Sequence, residues 1–138
     1  MTEREVTVTM TIDAPPDQVW RAMTDPGLVE QWMMGAQVDS TWQKGDPITW
    51  SGEYNGQPYT DGGEILDIDP GRRLVHTHAS TMAPDAPAHT VTWSLDQAGN
   101  DKTELSLAQD GAQSDDEAEQ FTSNWTAMLG ELRTVAER

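Results

Sequence analysis

The chain has 138 residues, with 24 acidic side chains against 8 basic ones, a formal net charge of −16 at pH 7, and no cysteine. This charge repels phosphate backbones and anionic lipid surfaces, so we expect no nucleic-acid partner and no membrane insertion. The lack of cysteine excludes disulfides, thiol nucleophiles and cysteine-ligated metals. Leu, Ile, Val and Phe are scarce, as in disordered acidic chains, but six Trp and seven Met supply the apolar bulk of a single domain over residues 1–138.

The N-terminal segment predicts one strand followed by two short helices. In residues 5–12, apolar side chains alternate with Thr, the pattern of a half-buried strand. Val19, Ala22 and Met23 have helical spacing after Pro15-Pro16, and Pro26 introduces a second helix over residues 27–32. No basic segment followed by an apolar run precedes them, so the sequence predicts a cytoplasmic location.

The middle of the chain is rich in predicted strands. Asn55-Gly56 is the strongest short hairpin signal, and it separates strands at about 48–53 and 59–68, with Gly62-Gly63 as a candidate bulge. The Asp-Pro-Gly-Arg turn at 69–72 comes next. Further strands are predicted at about 74–78, 90–95 and 103–108, and the Pro-rich segment 80–88 is predicted to be a loop.

The chain closes with a predicted long helix. Ser114 is a suitable N-cap, and acidic residues follow it where the helix dipole favours them. A single apolar stripe runs along this helix, through Phe121, Trp125, Met128, Leu132 and Val135. Separate helices and hairpin-linked strands indicate an α+β fold, in which a curved antiparallel sheet of about six to seven strands wraps around the last helix.

Four segments resemble the SRPBCC (START-like, helix-grip) superfamily, and within it the group named after the activator of the heat-shock-protein-90 ATPase. They are APPDQVWRAMTDP at 14–26, QWMMG at 31–35, DIDPGRRLV at 67–75 and NWTAMLGEL at 124–132. The resemblance implies a sheet that grips the C-terminal helix around a deep cavity. It also implies small-molecule binding, with cyclase or hydrolase activity or a chaperone-associated role as alternatives. No cofactor is implied, and the oligomeric state stays open between monomer and homodimer.

The inner face of the sheet can be predicted by alternation. If Leu74 points inward, His76 and His78 do so as well, and across the 69–72 turn the same alternation places Ile68, Leu66 and Glu64 on that face. Trp93 and its neighbours at alternate positions would line the next strand, with His89 opposite His78. Glu64, His76 and His78 are therefore predicted to converge inside an otherwise apolar cavity.

Three interpretations of this cluster are open. In the first, the histidines are neutral and hydrogen-bonded to Glu64, to backbone or to water. In the second, they are polar anchors of a ligand pocket. In the third, they act with Glu64, and with His89 as a further candidate, in acid–base catalysis or zinc binding. The spacing of His76 and His78 on a strand is a weak metal signature without a third ligand, so no metal site is predicted. The resulting prediction is a pocket for a small hydrophobic or aromatic molecule, lined by Trp50, Glu64, His76, His78, Trp93, Trp125 and Met128.

Overall fold

The structure is a computed structural model that describes residues 4–33, 35–54, 56–80 and 88–138. Seven strands and three helices occur in these residues. In chain order they are β1 (Arg4–Ile12), α1 (Pro16–Thr24), α2 (Pro26–Trp32), β2 (Gln37–Ser40), β3 (Pro47–Tyr54), β4 (Gln57–Asp69), β5 (Arg73–Ser80), β6 (His89–Gly99), β7 (Lys102–Ala112) and α3 (Asp115–Ala136). None of these helices is both long and apolar enough to cross a membrane.

The strands form one antiparallel sheet in the order β1-β7-β6-β5-β4-β3-β2. Neighbouring strands from β2 to β7 are consecutive in the chain, and β1 pairs with the last of them. The curved sheet holds α3, which also packs against β1 and both short helices. The predicted α+β class and the helix-grip fold are therefore confirmed.

Helix α3 begins where the sequence predicts. The Ser114 side chain accepts a hydrogen bond from the backbone N–H of Glu117 at 3.1 Å, which satisfies one of the free donors of the first turn. The apolar stripe has two parts. Leu132 and Val135 are buried in the core together with Leu129, whereas Phe121, Trp125 and Met128, nearer the N-terminus, are half-buried. This half-buried part of the stripe faces the cavity described below.

The hairpins agree with the predicted turns. Tyr54 pairs with Gln57, so a two-residue connection joins β3 to β4, although Asn55 itself lies outside the described residues. Most of the predicted Pro-rich loop, residues 81–87, also lies outside them. The short strand β2, in which only Val38 is buried, has no counterpart among the predicted strands.

One prediction about strand β4 is wrong. Ile65 is fully buried, whereas Glu64 and Leu66 are exposed. The pairing of β4 with β5 shifts between Ile65 and Asp67, where a bulge adds one residue to β4. Beyond a bulge, the side chains that pointed to one face of the sheet point to the other. The inward orientation counted back from Ile68 therefore does not apply to Leu66 or Glu64.

Candidate functional site

A cavity of about 340 Å³ lies between the inner face of the sheet and the N-terminal half of α3. Strands β3 to β7 supply one wall, α3 supplies the opposite wall, and Trp32 and Met33 at the end of α2 close one side. Six of the seven residues predicted for a pocket line this cavity: Trp50, His76, His78, Trp93, Trp125 and Met128.

The seventh, Glu64, does not belong to the site. Its side chain is exposed on the other face of β4, because the bulge at Leu66 places Ile65 inside instead. The predicted cluster of Glu64 with His76 and His78 therefore does not form. Among the described residues, no group of three or more His, Cys, Asp or Glu side chains is arranged to hold a metal ion.

Aromatic rings make up most of the cavity wall. The rings of Trp93 and Trp125 meet edge to face with centroids 5.7 Å apart, and those of Trp32 and Trp93 do so at 6.4 Å. Such arrangements place the positive edge of one ring against the negative face of the next, which stabilises the cluster. Trp50, on β3, adds a fourth indole beside the imidazoles of His76 and His78, at centroid distances of 5.1 and 5.8 Å.

Three of these indoles use their N–H groups inside the protein. Trp32 donates to the carbonyl of Ala22 at 2.7 Å, Trp93 donates to Nε2 of His76 at 3.1 Å, and Trp125 donates to Oε1 of Gln109 at 2.5 Å. A polar group buried without a partner is unfavourable, so these hydrogen bonds allow the three indole rings to be placed in an apolar interior. Trp32, Trp93 and Trp125 therefore present the carbon surfaces of their rings to the cavity.

His76 is a structural part of this wall. It is 2% exposed, its Nδ1 lies 2.8 Å from the Thr77 carbonyl, and its Nε2 accepts the Trp93 proton. This pattern requires the neutral ring with its proton on Nδ1. Burial lowers the pKa of His76 to about 4, with the Thr77 carbonyl opposing the shift and His78 adding to it. Of the three interpretations, the neutral, backbone-bonded histidine describes His76, and both of its nitrogens are occupied.

His78 has a different environment. Its Nε2 lies 3.2 Å from Oδ2 of Asp61, and its side chain is 34% exposed. Asp61 stands on β4 directly opposite Trp50 of β3. Its other oxygen, Oδ1, is buried and has no hydrogen-bond partner among the described residues. The carboxylate also acts on Tyr59, whose pKa is raised by burial first and by Asp61 second.

His89 lies opposite His78 in the β5–β6 ladder, as predicted. Its ring meets Phe121 edge to face at 5.5 Å and approaches Gly111 of β7 so closely that a Cβ there would lie 2.2 Å from Nδ1. Gly111 has φ +88°, a conformation that glycine adopts without strain. This glycine therefore makes room for the imidazole at the cavity wall.

Asp61 was not among the predicted site residues, although the sequence contains the signal. A two-residue Asn55-Gly56 turn pairs residues 54 and 57, and counting back along both strands pairs Trp50 with Asp61. Residues directly opposite each other share a face, so an inward Trp50 implies an inward Asp61. Gln109 was missed in the same way, since it continues the buried alternation of Leu105 and Leu107 on β7.

The family model for Activator of Hsp90 ATPase homolog 1-like proteins matches residues 13–137. Among solved structures, ChR145 from Cytophaga hutchinsonii is 31% identical with a TM-score of 0.82, over 96% of this chain and 93% of that one. CalU16 from Micromonospora echinospora is 25% identical with a TM-score of 0.77, over 97% and 76%. PFC0360w, an Hsp90 activator from Plasmodium falciparum, is 17% identical with a TM-score of 0.76, over 95% and 94%, which shows a shared fold. No curated protein matches the chain.

Proposed function

The chain belongs to the family of Activator of Hsp90 ATPase homolog 1-like proteins, and we propose that it binds a small hydrophobic, aromatic molecule in its interior cavity. One observation carries the proposal. The cavity of about 340 Å³ is walled by four indoles, Phe121 and two methionines, and the indole N–H groups of Trp32, Trp93 and Trp125 are already bonded within the protein. Small-molecule sites are typically apolar cavities of this size with a few polar groups.

The form of the wall favours a flat ligand. Rings that meet edge to face leave flat faces and positive edges available for another aromatic ring, and each such contact contributes about 0.5–1.5 kcal/mol beyond burial. Met33 and Met128 lie among these rings. Their flexible, polarisable side chains adjust to the outline of a guest. A molecule of two or three rings suits both the volume and the chemistry of the wall.

The proposal can be tested with N-phenyl-1-naphthylamine, a neutral aromatic probe whose emission rises when it leaves water. We expect saturable binding at one site, together with quenching of tryptophan emission. The variant Met128→Trp places a larger side chain in the cavity and is expected to weaken binding at least tenfold. Ala127→Trp introduces the same residue at the adjacent position of α3, which is exposed, and serves as the matched control.

Circular dichroism should show that both variants retain the wild-type helix and strand content. Weak, non-saturable emission from the wild type would overturn the proposal. Equal affinities for the two folded variants would also overturn it, because binding would then occur outside the cavity. Substituting Trp20 or Trp42 by Phe should leave the tryptophan quenching largely intact, since neither of them is among the lining residues.

A further inference from the structure

The cavity wall contains several polar side chains, and they differ in whether their hydrogen-bonding atoms already have partners within the protein. His76 uses both ring nitrogens within the protein, and Oε1 of Gln109 already accepts the hydrogen bond from the Trp125 indole. One carboxylate oxygen of Asp61 is hydrogen-bonded to Nε2 of His78, and the other oxygen has no partner among the described residues. Nδ1 of His89, another lining residue, is also buried without a partner among the described residues. A carboxylate forms stronger, charge-assisted hydrogen bonds than a neutral imidazole, so the strongest unused acceptor in the wall is the Asp61 carboxylate.

The unpartnered oxygen of Asp61 is energetically significant. A carboxylate oxygen that is removed from water without a hydrogen-bond donor carries an unfavourable desolvation cost. The Asp61 side chain retains 22% of its exposure. The terminal torsion of Asp is broad, so a small rotation can turn the free oxygen toward the cavity while the other oxygen stays beside His78. A ligand that brings a donor to this carboxylate would remove the cost.

The charge of the wall restricts the ligand further. Among the described lining residues there is one carboxylate, that of Asp61, and there is no Lys or Arg. The chain as a whole carries a net charge of −16. A carboxylate or phosphate on the ligand would meet a like charge in a region of low dielectric and find no basic partner.

From these observations, and on the basis of the proposed aromatic-binding function, we infer that the ligand is a neutral or cationic aromatic molecule with a hydroxyl or amine donor. Its ring lies against Trp50, and its donor bonds to the carboxylate of Asp61, the residue directly opposite Trp50 in the β3–β4 ladder. Asp61 is thus a specificity-determining residue, and His78 holds its carboxylate through the other oxygen.

Three ligands with one ring system test this inference: 2-naphthol, naphthalene and 2-naphthoate. Affinities are measured by quenching of tryptophan emission and by calorimetry at pH 8, where free imidazoles are neutral. A hydrogen bond to a charged acceptor favours 2-naphthol over naphthalene by about tenfold or more. The carboxylate repels 2-naphthoate, which should bind more weakly than naphthalene. This order is measurable on the wild-type protein and so does not depend on the folding of any variant.

Asp61→Asn assigns the effect to one residue. It keeps the shape of the side chain but removes the charge, so it should bring 2-naphthol close to naphthalene and strengthen the binding of 2-naphthoate. Glu64→Gln is the matched control, because it removes a carboxylate from the outer face of the same strand. It should leave all three affinities unchanged.

The outcomes separate the two proposals. If none of the three compounds binds, and N-phenyl-1-naphthylamine also fails, the aromatic-binding function is wrong. If they bind but 2-naphthol has no advantage over naphthalene, the function stands and the inference about the donor is overturned. The same holds if Asp61→Asn and Glu64→Gln give identical affinities. Tighter binding of 2-naphthoate than of 2-naphthol in the wild type would reverse the assigned charge preference.

Discussion

Replacing His76 by glutamine is expected to abolish the loss of stability that this residue causes between pH 8 and pH 5. His76 is neutral and almost fully buried, with Nδ1 on the Thr77 carbonyl and Nε2 on Trp93. In the unfolded chain its imidazole is free to take up a proton. Glutamine does not titrate in this range, and its amide oxygen can still accept from Trp93.

The size of the effect follows from the two pKa values. The pKa of His76 is about 4 in the folded protein and 6.5 for a freely solvated imidazole, which represents the unfolded chain. Well above pH 6.5 the His76 imidazole is neutral in both the folded and the unfolded state, so it does not reduce the stability of the folded protein. As the pH falls below 6.5, only the unfolded state gains the proton, so the free energy of unfolding decreases. The loss is about 2 kcal/mol at pH 5 and approaches about 3 kcal/mol as the pH falls through 4.

Urea denaturation at intervals from pH 8 to pH 5 measures this loss. The difference between wild type and His76→Gln isolates the residue, because the carboxylates titrate alike in both. The difference should therefore shift by about 2 kcal/mol across the range. His78→Gln keeps His76 and should retain most of the wild-type dependence. If wild type and His76→Gln show parallel pH dependence, the assignment of a neutral, buried His76 is refuted.

Two substitutions of glycine test the packing. Gly130→Ala on α3 should stabilise the protein by about 0.5–1 kcal/mol, because a Cβ there meets no atom within 4 Å and Gly is a poor helix former. The melting temperature should rise by a few degrees. A lower melting temperature would show that the added methyl group lacks the space that the structure gives it. Gly63→Ala should destabilise by at least about 2 kcal/mol, because its Cβ would lie 1.8 Å from the Thr77 carbonyl oxygen, the acceptor that fixes the His76 ring. The neighbouring Gly62→Ala meets only ordinary contacts at 3.5 Å or more, so equal effects of the two would contradict this reasoning.

The fold could be predicted from the sequence because its main elements are regular. In β1 apolar residues recur at every second position, and on α3 they recur at helical spacing, in both cases over many residues. Such a regular pattern predicts both the type of element and the face that packs against the core. The Asn-Gly hairpin and the Ser114 cap depend on local chemistry that short segments carry by themselves. Strand β2 lacks such a signal, because it has four residues and one buried side chain, Val38.

The site could be predicted only in part. Trp50, His78 and Trp93 were found by alternation within their strands. Glu64 was misplaced because the bulge at Leu66 depends on how β4 pairs with β5, and alternation within one strand does not contain that information. The role of His76 depends on a hydrogen bond from Trp93 on the neighbouring strand, so its protonation state follows from tertiary structure alone.

The two ends of the sheet have a consequence for the protein at high concentration. In the part of the chain that the structure describes, strands β1 and β2 each have one unpaired edge, and free edges can pair with other chains. The β2 edge spans only four residues. Arg4 of β1 forms an ion pair with Asp115 at the start of α3 at 2.8 Å. The N–H of Asp13, just after β1, donates to the carboxylate of Glu137, just after α3, at 2.8 Å. The acidic surface adds mutual repulsion between molecules, which disappears near the isoelectric point of about 4.2. Self-association through these edges is therefore expected to begin as the pH approaches that value, first at the longer edge of β1.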